Sequence, residues 1–267
     1  MNSKVKEYYD ANFKNEWLRL EDPYARIEFF SALYMIKKYF PKNGRVFDIG
    51  SGPGRYSIEL LRRNYKVSLM DLSDNSITFA KSKIESLGLK ADKYVCGDAR
   101  YLAMEKENSY DGILLMGPMY HIVSKAERVG LLKECRRILR KDGVIIISYI
   151  NSIGLLRAGV SEFSSCFEDI ESIYKLFSEN SYDENDSFTV SHYTTSDNAK
   201  SEILESGLKL ISYAGAESFL SGQGPSMAKH YIENRNIYLN LLKVATEKCE
   251  HPKFRDSAEH LLMVCKK

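Results

Sequence analysis

Cysteine is sparse and unpatterned. Cys96, Cys135, Cys166, Cys249 and Cys265 make an odd count of five with no C-x-x-C pair, which argues against a disulfide framework and for reduced thiols in a cytoplasmic protein. No His, Cys or carboxylate cluster has the spacing of a zinc or iron site, so no metal is expected. Long apolar runs are missing as well, and no segment is expected to span a bilayer. The polar start Met1-Asn-Ser-Lys-Val-Lys does not read as a signal peptide. A formal net charge of +2 leaves no broad basic footprint for nucleic acid. There is no internal repeat and no low-complexity tract, and nothing in the residues fixes an oligomeric state.

What is there is enough to build a core. At 267 residues and 44% hydrophobic, the chain suits one large α/β domain or such a domain with a cap. Its most informative stretch is Val46-Phe-Asp-Ile-Gly-Ser-Gly-Pro-Gly54, a buried strand running into a turn with glycine at alternate positions. Gly50, Gly52 and Gly54 let backbone N–H groups approach a ligand with no Cβ in the way, and Arg55 to Arg63 follows as a helix. Asp71 closes the next apolar run, 21 residues after Gly50. That is the distance at which an acidic side chain meets a ribose in nucleotide-binding βαβ units.

The glycine register separates the candidate ligands. A dinucleotide fingerprint needs a small residue where Arg55 stands, and a phosphate loop needs a Gly-Lys-Ser/Thr that is absent. Asp48-x-Gly-x-Gly-x-Gly54 instead resembles the first motif of class I S-adenosylmethionine-dependent methyltransferases. Later motifs of that family follow in order. After Asp71 comes a helix with Ser73 as N-cap, Ile77, Ala80, Ile84 and Leu87 facing inward and Gly88 as its stop. Tyr94-Val-Cys-Gly-Asp98-Ala99 resembles the third strand, and Asp111-Gly-Ile-Leu-Leu-Met-Gly117 the fourth, with Pro118-Met-Tyr-His121 after it. Helix Arg128 to Arg140 leads to Val144-Ile-Ile-Ile147, a fully buried fifth strand, and His260 to Lys266 resembles the last strand.

The resemblance implies a doubly wound, mostly parallel, seven-stranded Rossmann-like sheet and S-adenosylmethionine as cofactor. It places Gly50, Ser51, Gly52 and Gly54 along the methionine and ribose, with Asp48 supporting the turn. Asp71 would accept from the ribose hydroxyls, Leu72 would pack on adenine, and Asp98, beside Ala99, would accept from the adenine amino group. Met116 and Gly117 would floor the pocket. Tyr9 and Arg19, in a Tyr-Tyr-Asp and Glu-Trp-x-Arg-Leu segment similar to that of small bacterial methyltransferases, would join the cofactor site.

The remaining segments divide the chain. Residues 1–40 look helical, with Asp22-Pro23 starting a helix whose Ile27, Phe30 and Tyr34 share a face. They serve as a lid over the cofactor or as aromatic packing for a terminal helix. Residues 41–150 form the cofactor-binding core, 151–195 a cap inserted after the fifth strand, and 196–267 the completion of the sheet, with a strand near Leu208 to Tyr213. In the cap Phe163, Phe167, Ile170, Tyr174 and Phe177 recur at helical spacing and predict one amphipathic helix. Its carboxylates, Glu162, Glu168, Asp169, Glu171, Glu179, Asp183, Glu184 and Asp186, face a single cation, Lys175, between 158 and 190. They would attract an amine-bearing substrate or form a solvated face.

The expected reaction is methyl transfer to a small-molecule acceptor by in-line displacement. His121 is the candidate general base, since its ordinary pKa of about 6.5 suits proton abstraction, with substrate positioning and a structural bond to backbone as its other readings. Tyr120, His192 and Tyr193 are candidate substrate residues. Gly117-Pro-Met-Tyr120 departs from the Asp/Asn-Pro-Pro-Tyr/Phe of nucleic-acid amino methyltransferases, so a tRNA or rRNA substrate is the weaker alternative, beside a cofactor-binding protein without catalysis.

Overall fold

The computed structural model describes residues 3–183, 185 and 187–267, so Glu184 and Asp186 of the cap lie outside the described residues. Two helices come first, α1 (Ser3–Arg19) and α2 (Ala25–Tyr39). Asp22 accepts from the N–H groups of Tyr24 and Ala25 at 2.8 and 3.1 Å, which starts α2 where the Asp-Pro pair predicts. The buried face of α2 carries Ile27, Glu28, Ser31, Ala32, Met35 and Ile36. Phe30, expected on that face, points outward at 41% exposure, because the true stripe runs one residue over and takes in the charged Glu28.

The core alternates strand and helix: β1 (Arg45–Ile49), α3 (Arg55–Arg62), β2 (Lys66–Asp71), α4 (Asp74–Ser86), β3 (Lys93–Cys96), β4 (Tyr110–Leu115), α5 (Lys125–Ile138) and β5 (Leu139–Asn151). Ser73 caps α4 by accepting from Ser76 N–H. Leu87, expected inside, is 47% exposed because α4 has ended before it. Strands β1 to β5 are parallel in the order β3-β2-β1-β4-β5. Helices on both faces bury β1 apart from Arg45 and β4 apart from Asp111, which is why residues 46–49 and 112–115 are mostly apolar.

Past β5 the chain runs α6 (Ser152–Glu162), a short 3₁₀ turn at Ser164–Phe167, α7 (Ile170–Lys175), β6 (Asn180–Tyr182), β7 (Ser191–Thr194) and α8 (Ser196–Glu205). Two short pieces, the 3₁₀ turn and α7, thus replace the single amphipathic helix expected over Phe163 to Phe177. Phe163 itself ends α6, and a Cβ on Gly159 would lie 2.3 Å from the Phe167 ring, so the aromatic folds back on α6 where a continuous helix would carry it away. Residues 151–195 also extend the sheet, since β7 pairs parallel with Ile150 and Asn151 of β5, and β6 pairs antiparallel with β7. The fold closes with β8 (Lys209–Gly215), α9 (Gly224–Glu233), α10 (Arg235–Glu247) and β9 (His260–Lys266), where β9 lies antiparallel between β5 and β8. The result is a nine-stranded, mostly parallel α/β sheet, two strands more than expected. Among the described residues no helix is long and apolar enough to cross a membrane.

Candidate active site

The turn after β1 folds against β2. Gly50 N–H and Ser51 N–H both donate to Met70 O, at 2.8 and 3.0 Å, and Gly54 N–H donates to Ser51 O at 3.0 Å. Gly52 N–H donates to Asp71 Oδ2 at 2.7 Å. These donors were expected to face a ligand; they are already taken. Gly50 has φ +76°, and a Cβ there would meet Pro118 Cδ at 2.5 Å, whereas a Cβ on Gly52, at φ +51°, would meet nothing within 4 Å. Gly52 therefore borders open space. A pyrophosphate needs free N–H donors at such a turn; an uncharged ribose and a methionine tail do not.

That open space is a cavity of about 920 Å³, mouth included, along the carboxyl ends of the strands. Gly50, Ser51, Gly52, Asp71, Leu72, Ala99, Met116, Gly117, Tyr120 and His121 all line it, and α1 roofs it with Tyr9 and Arg19. Asp71 belongs to β2 and the lining Ser148 to β5, three strand spacings apart, so the cavity crosses roughly 14 Å of sheet edge. Burial lifts the Asp71 carboxyl to about 6, against the lowering effect of the Ser73 and Gly52 N–H groups. Asp48 stands behind the turn, fully buried, accepting from Ser57 Oγ at 2.6 Å while its Oδ1 has no partner. Burial raises it to about 7, with the Asp71 charge adding to the shift.

Residues that the sequence did not mark complete the far end. Glu28 lines the cavity with Glu16, Tyr56 and Ser148, and Arg19 Nη1 donates to Glu28 Oε2 at 2.6 Å. Burial alone would raise Glu28; the charges of Arg19 and His260 overcome it and hold the carboxyl at about 2. A charged residue in the apolar stripe of α2 was the available signal. His260 gave none: burial works to lower it, but Glu28 and Glu217 raise it to about 9. The Tyr56 hydroxyl is buried and has no partner.

His121 sits just past the short turn Pro118–Tyr120. Its Nδ1 lies 2.8 Å from Val190 O in the cap and its Nε2 lies 2.8 Å from Tyr9 Oη on α1. Phe188 packs edge-on against both Tyr8 and His121. The imidazole is buried, which depresses its pKa to about 4.

Other expected site residues do not reach the cavity. Asp98 ion-pairs with Arg100 at 2.7 Å and lines a separate hollow with Phe47, Val95, Tyr101 and Leu102, because the loop after β3 turns its carboxylate away from the side that Gly97 and Ala99 present. Gly54 packs under the turn, where a Cβ would meet Ala80 Cβ at 3.0 Å. His192 and Tyr193, on β7, point elsewhere: His192 Nδ1 meets Ser181 Oγ at 3.0 Å, and Tyr193 Oη meets Ser187 Oγ at 2.8 Å. The described cap carboxylates are also absent from the cavity wall. Glu162 accepts from Gly224 N–H, and Glu179 faces Arg128. Glu179, His192 and Glu202 converge closely enough to suggest a metal, but the buried Arg128 guanidinium, 2.5 Å from Glu202 Oε1, supplies the cation there.

Residues 46–143 match the model of a methyltransferase domain. A glycine/sarcosine N-methyltransferase of Parasynechococcus marenigrum is 27% identical over 57% of this chain and 54% of its own length. A tRNA 5-carboxymethoxyuridine methyltransferase of Escherichia coli is 31% identical over 43% of this chain and 44% of its own. The 1,6-didemethyltoxoflavin-N1-methyltransferase of Burkholderia thailandensis, solved with S-adenosylhomocysteine, shares the fold at TM-score 0.61 and 15% identity, covering 98% of this chain and 87% of that one. Residues 46–143 thus read as a methyltransferase domain, on a fold shared with solved methyltransferases. The chain spans about half the length of the curated relatives it matches.

The Burkholderia thailandensis structure was solved with S-adenosylhomocysteine, and a Clostridium acetobutylicum protein of the same fold is an S-adenosylmethionine-dependent methyltransferase; the cavity of this chain has features that fit such a ligand. The Asp71 carboxylate, whose pKa burial raises, gains stability from further hydroxyl donors, and the space beyond Gly52 is open.

Proposed function

We propose that the protein moves a methyl group from S-adenosylmethionine to a small-molecule acceptor. The observation that carries this reading is the single cavity running from Asp71 to Ser148 beneath α1, with a nucleoside-binding end and a second end walled by Tyr56, Tyr120 and Glu28. A bound sulfonium supplies an activated methyl group. The chain supplies alignment of acceptor, methyl carbon and sulfur, which can be worth roughly 7–11 kcal/mol.

In this reading Asp71 accepts from the ribose hydroxyls, Leu72, Gly97 and Ala99 flank the adenine, and Met116 and Gly117 form the floor. Gly50, Ser51 and Gly52 follow the methionine, whose carboxylate meets Arg19. Residues 1–40 act as a lid, for α1 closes onto the α4 N-terminus through Asp10, which accepts from Ser73 Oγ at 2.6 Å. Residues 151–195 act as a cap through Phe188 and Val190. The roof favours a small acceptor over a folded tRNA. All five cysteines are free, which supports a cytoplasmic setting. Calorimetry with S-adenosylmethionine and with its demethylated thioether tests the first half, and thioether release against a panel of small acceptors and bulk tRNA tests the second. No binding of either compound, or methylation of tRNA alone, would overturn the reading.

A further inference from the structure

We infer that Tyr9 is the catalytic residue that receives the acceptor's proton, with His121 holding and draining it from behind. The inference rests on the methyl-transfer reading above. Val190 O can only accept, so the proton of the neutral imidazole is on Nδ1. Nε2 is then a bare lone pair, and the group 2.8 Å away, Tyr9 Oη, must donate to it. That fixes the phenol's direction. Its hydrogen points back to His121, while Tyr9 itself lines the cavity and keeps its oxygen lone pairs for a ligand. His121 also borders the cavity, but both its ring nitrogens are already engaged, Nδ1 by Val190 O and Nε2 by Tyr9 Oη.

The surroundings keep this chain of hydrogen bonds neutral at rest. Around Tyr9 stand Glu16 and Arg19 of its own helix, Tyr120 and Asp71, and burial dominates, raising the phenol well above 10. Around His121 stand Tyr9, Tyr120, Phe188 and Val190, with no charged side chain in contact among the described residues. A free tyrosinate is therefore not formed, and both protons move together. The acceptor's lone pair forms the bond to the methyl carbon, and the electron pair of the broken carbon–sulfur bond stays on sulfur. The acceptor's proton passes to Tyr9 Oη as Tyr9's own proton passes to His121 Nε2. One positive charge leaves sulfur and one appears on imidazole, so the cavity's total charge is unchanged. Such a relay serves acceptors bearing O–H or protonated N–H. A thiol, which ionises near pH 8.5, depends on it least.

Nitrogen-15 NMR of the full chain tests the hydrogen-bond chain without any acceptor. His121 is expected as the Nδ1–H tautomer at neutral pH, with Tyr9→Phe shifting Nε2 and leaving Nδ1 in place. A protonated Nε2, or no response to Tyr9→Phe, would overturn the inference. With S-adenosylmethionine present, thioether release is followed against simple phenols, primary amines and thiols. Tyr9→Phe and His121→Gln should each lower phenol turnover by about 10²–10⁴ and thiol turnover by much less. His121→Gln, which can still bond to Tyr9 and Val190, should also erase the histidine limb of the pH profile. Equal losses with thiols and phenols, or a loss accounted for by weaker cofactor binding, would count against the relay. If the wild-type chain binds no cofactor, the methyl-transfer reading fails, and the relay fails with it whatever the tautomer.

Discussion

Asp71 Oδ2 accepts the N–H of Gly52 at 2.7 Å, so the carboxylate that closes the second strand also holds the glycine turn that follows the first. Its Oδ1 takes Ser73 N–H at 2.9 Å. Asp71→Ala therefore removes the proposed ribose acceptor and loosens the turn together. Hydrogen bonds to a charged group are worth about 1.5–3 kcal/mol each, so S-adenosylmethionine should bind roughly ten- to a hundredfold more weakly. Unchanged affinity by calorimetry would remove Asp71 from the site.

Gly50 and Gly52 should respond differently to alanine. Gly50→Ala drives a methyl into Pro118 and to 2.9 Å from Met116 O, and the expected cost is overpacking of about 1–3 kcal/mol, seen in thermal melts. Gly52→Ala meets no atom, so its stability cost is confined to the left-handed backbone, about 1–2 kcal/mol. Its methyl group enters the space assigned to the cofactor, and affinity should fall by roughly tenfold or more. Full affinity in a folded Gly52→Ala protein would place the cofactor elsewhere.

Stability should depend on pH in both directions. Burial holds His121 at about 4 and His192 at about 3, the latter helped by Arg128. Below about 6.5 the unfolded chain binds these protons more readily than the folded one, so their contribution to stability declines as pH falls through that window. His260 has the opposite sign. Its folded value of about 9 means that its contribution is complete below about 6.5 and is lost as pH rises through 9. On the acid side the buried carboxyls of Asp48 and Asp71, raised to about 7 and 6, carry the opposite sign to His121 and His192 and offset their loss; the alkaline decline of the thermal midpoint belongs to His260, and His260→Gln should flatten it. An unaltered alkaline limb in that variant would contradict the charge assignment.

Arg128 is fully buried between Glu202, Glu179 and the carbonyls of Ile122 and Val123. Arg128→Met leaves buried Glu202 without its cation, and breaking such a pair costs about 3–5 kcal/mol. Denaturant unfolding measures it. A loss below about 1 kcal/mol would show that Glu202 is protonated in the fold.

The strands were legible because fully buried parallel strands leave continuous β-branched and apolar runs, and Ser73, Gly88 and Asp22 mark helix ends by local chemistry. One end of the cavity was legible for the same reason: Gly50, Ser51, Gly52 and Asp71 lie at strand ends whose spacing the fold dictates. What escaped was set by contacts between distant segments. Phe163 to Phe177 has helical spacing, but the rings fold back on Gly159, which no periodicity records. His192 looked like a site residue because it lies at the far end of the cap, yet a buried Arg128 sixty-four positions earlier claims its surroundings. Tyr9 and His121 form one unit across 112 residues, and Asp98 turned away from the cavity through a loop conformation that sequence spacing does not encode.

The placement of β9 has a consequence for how the chain is made. It pairs with β5 along seven residues and with β8 on its other side, yet it leaves the ribosome long after both. Until then the nascent polypeptide carries two open strand edges beside a finished cofactor half, and such edges template wrong pairings. Slowing translation between Gly215 and His260 should therefore raise the demand for chaperones.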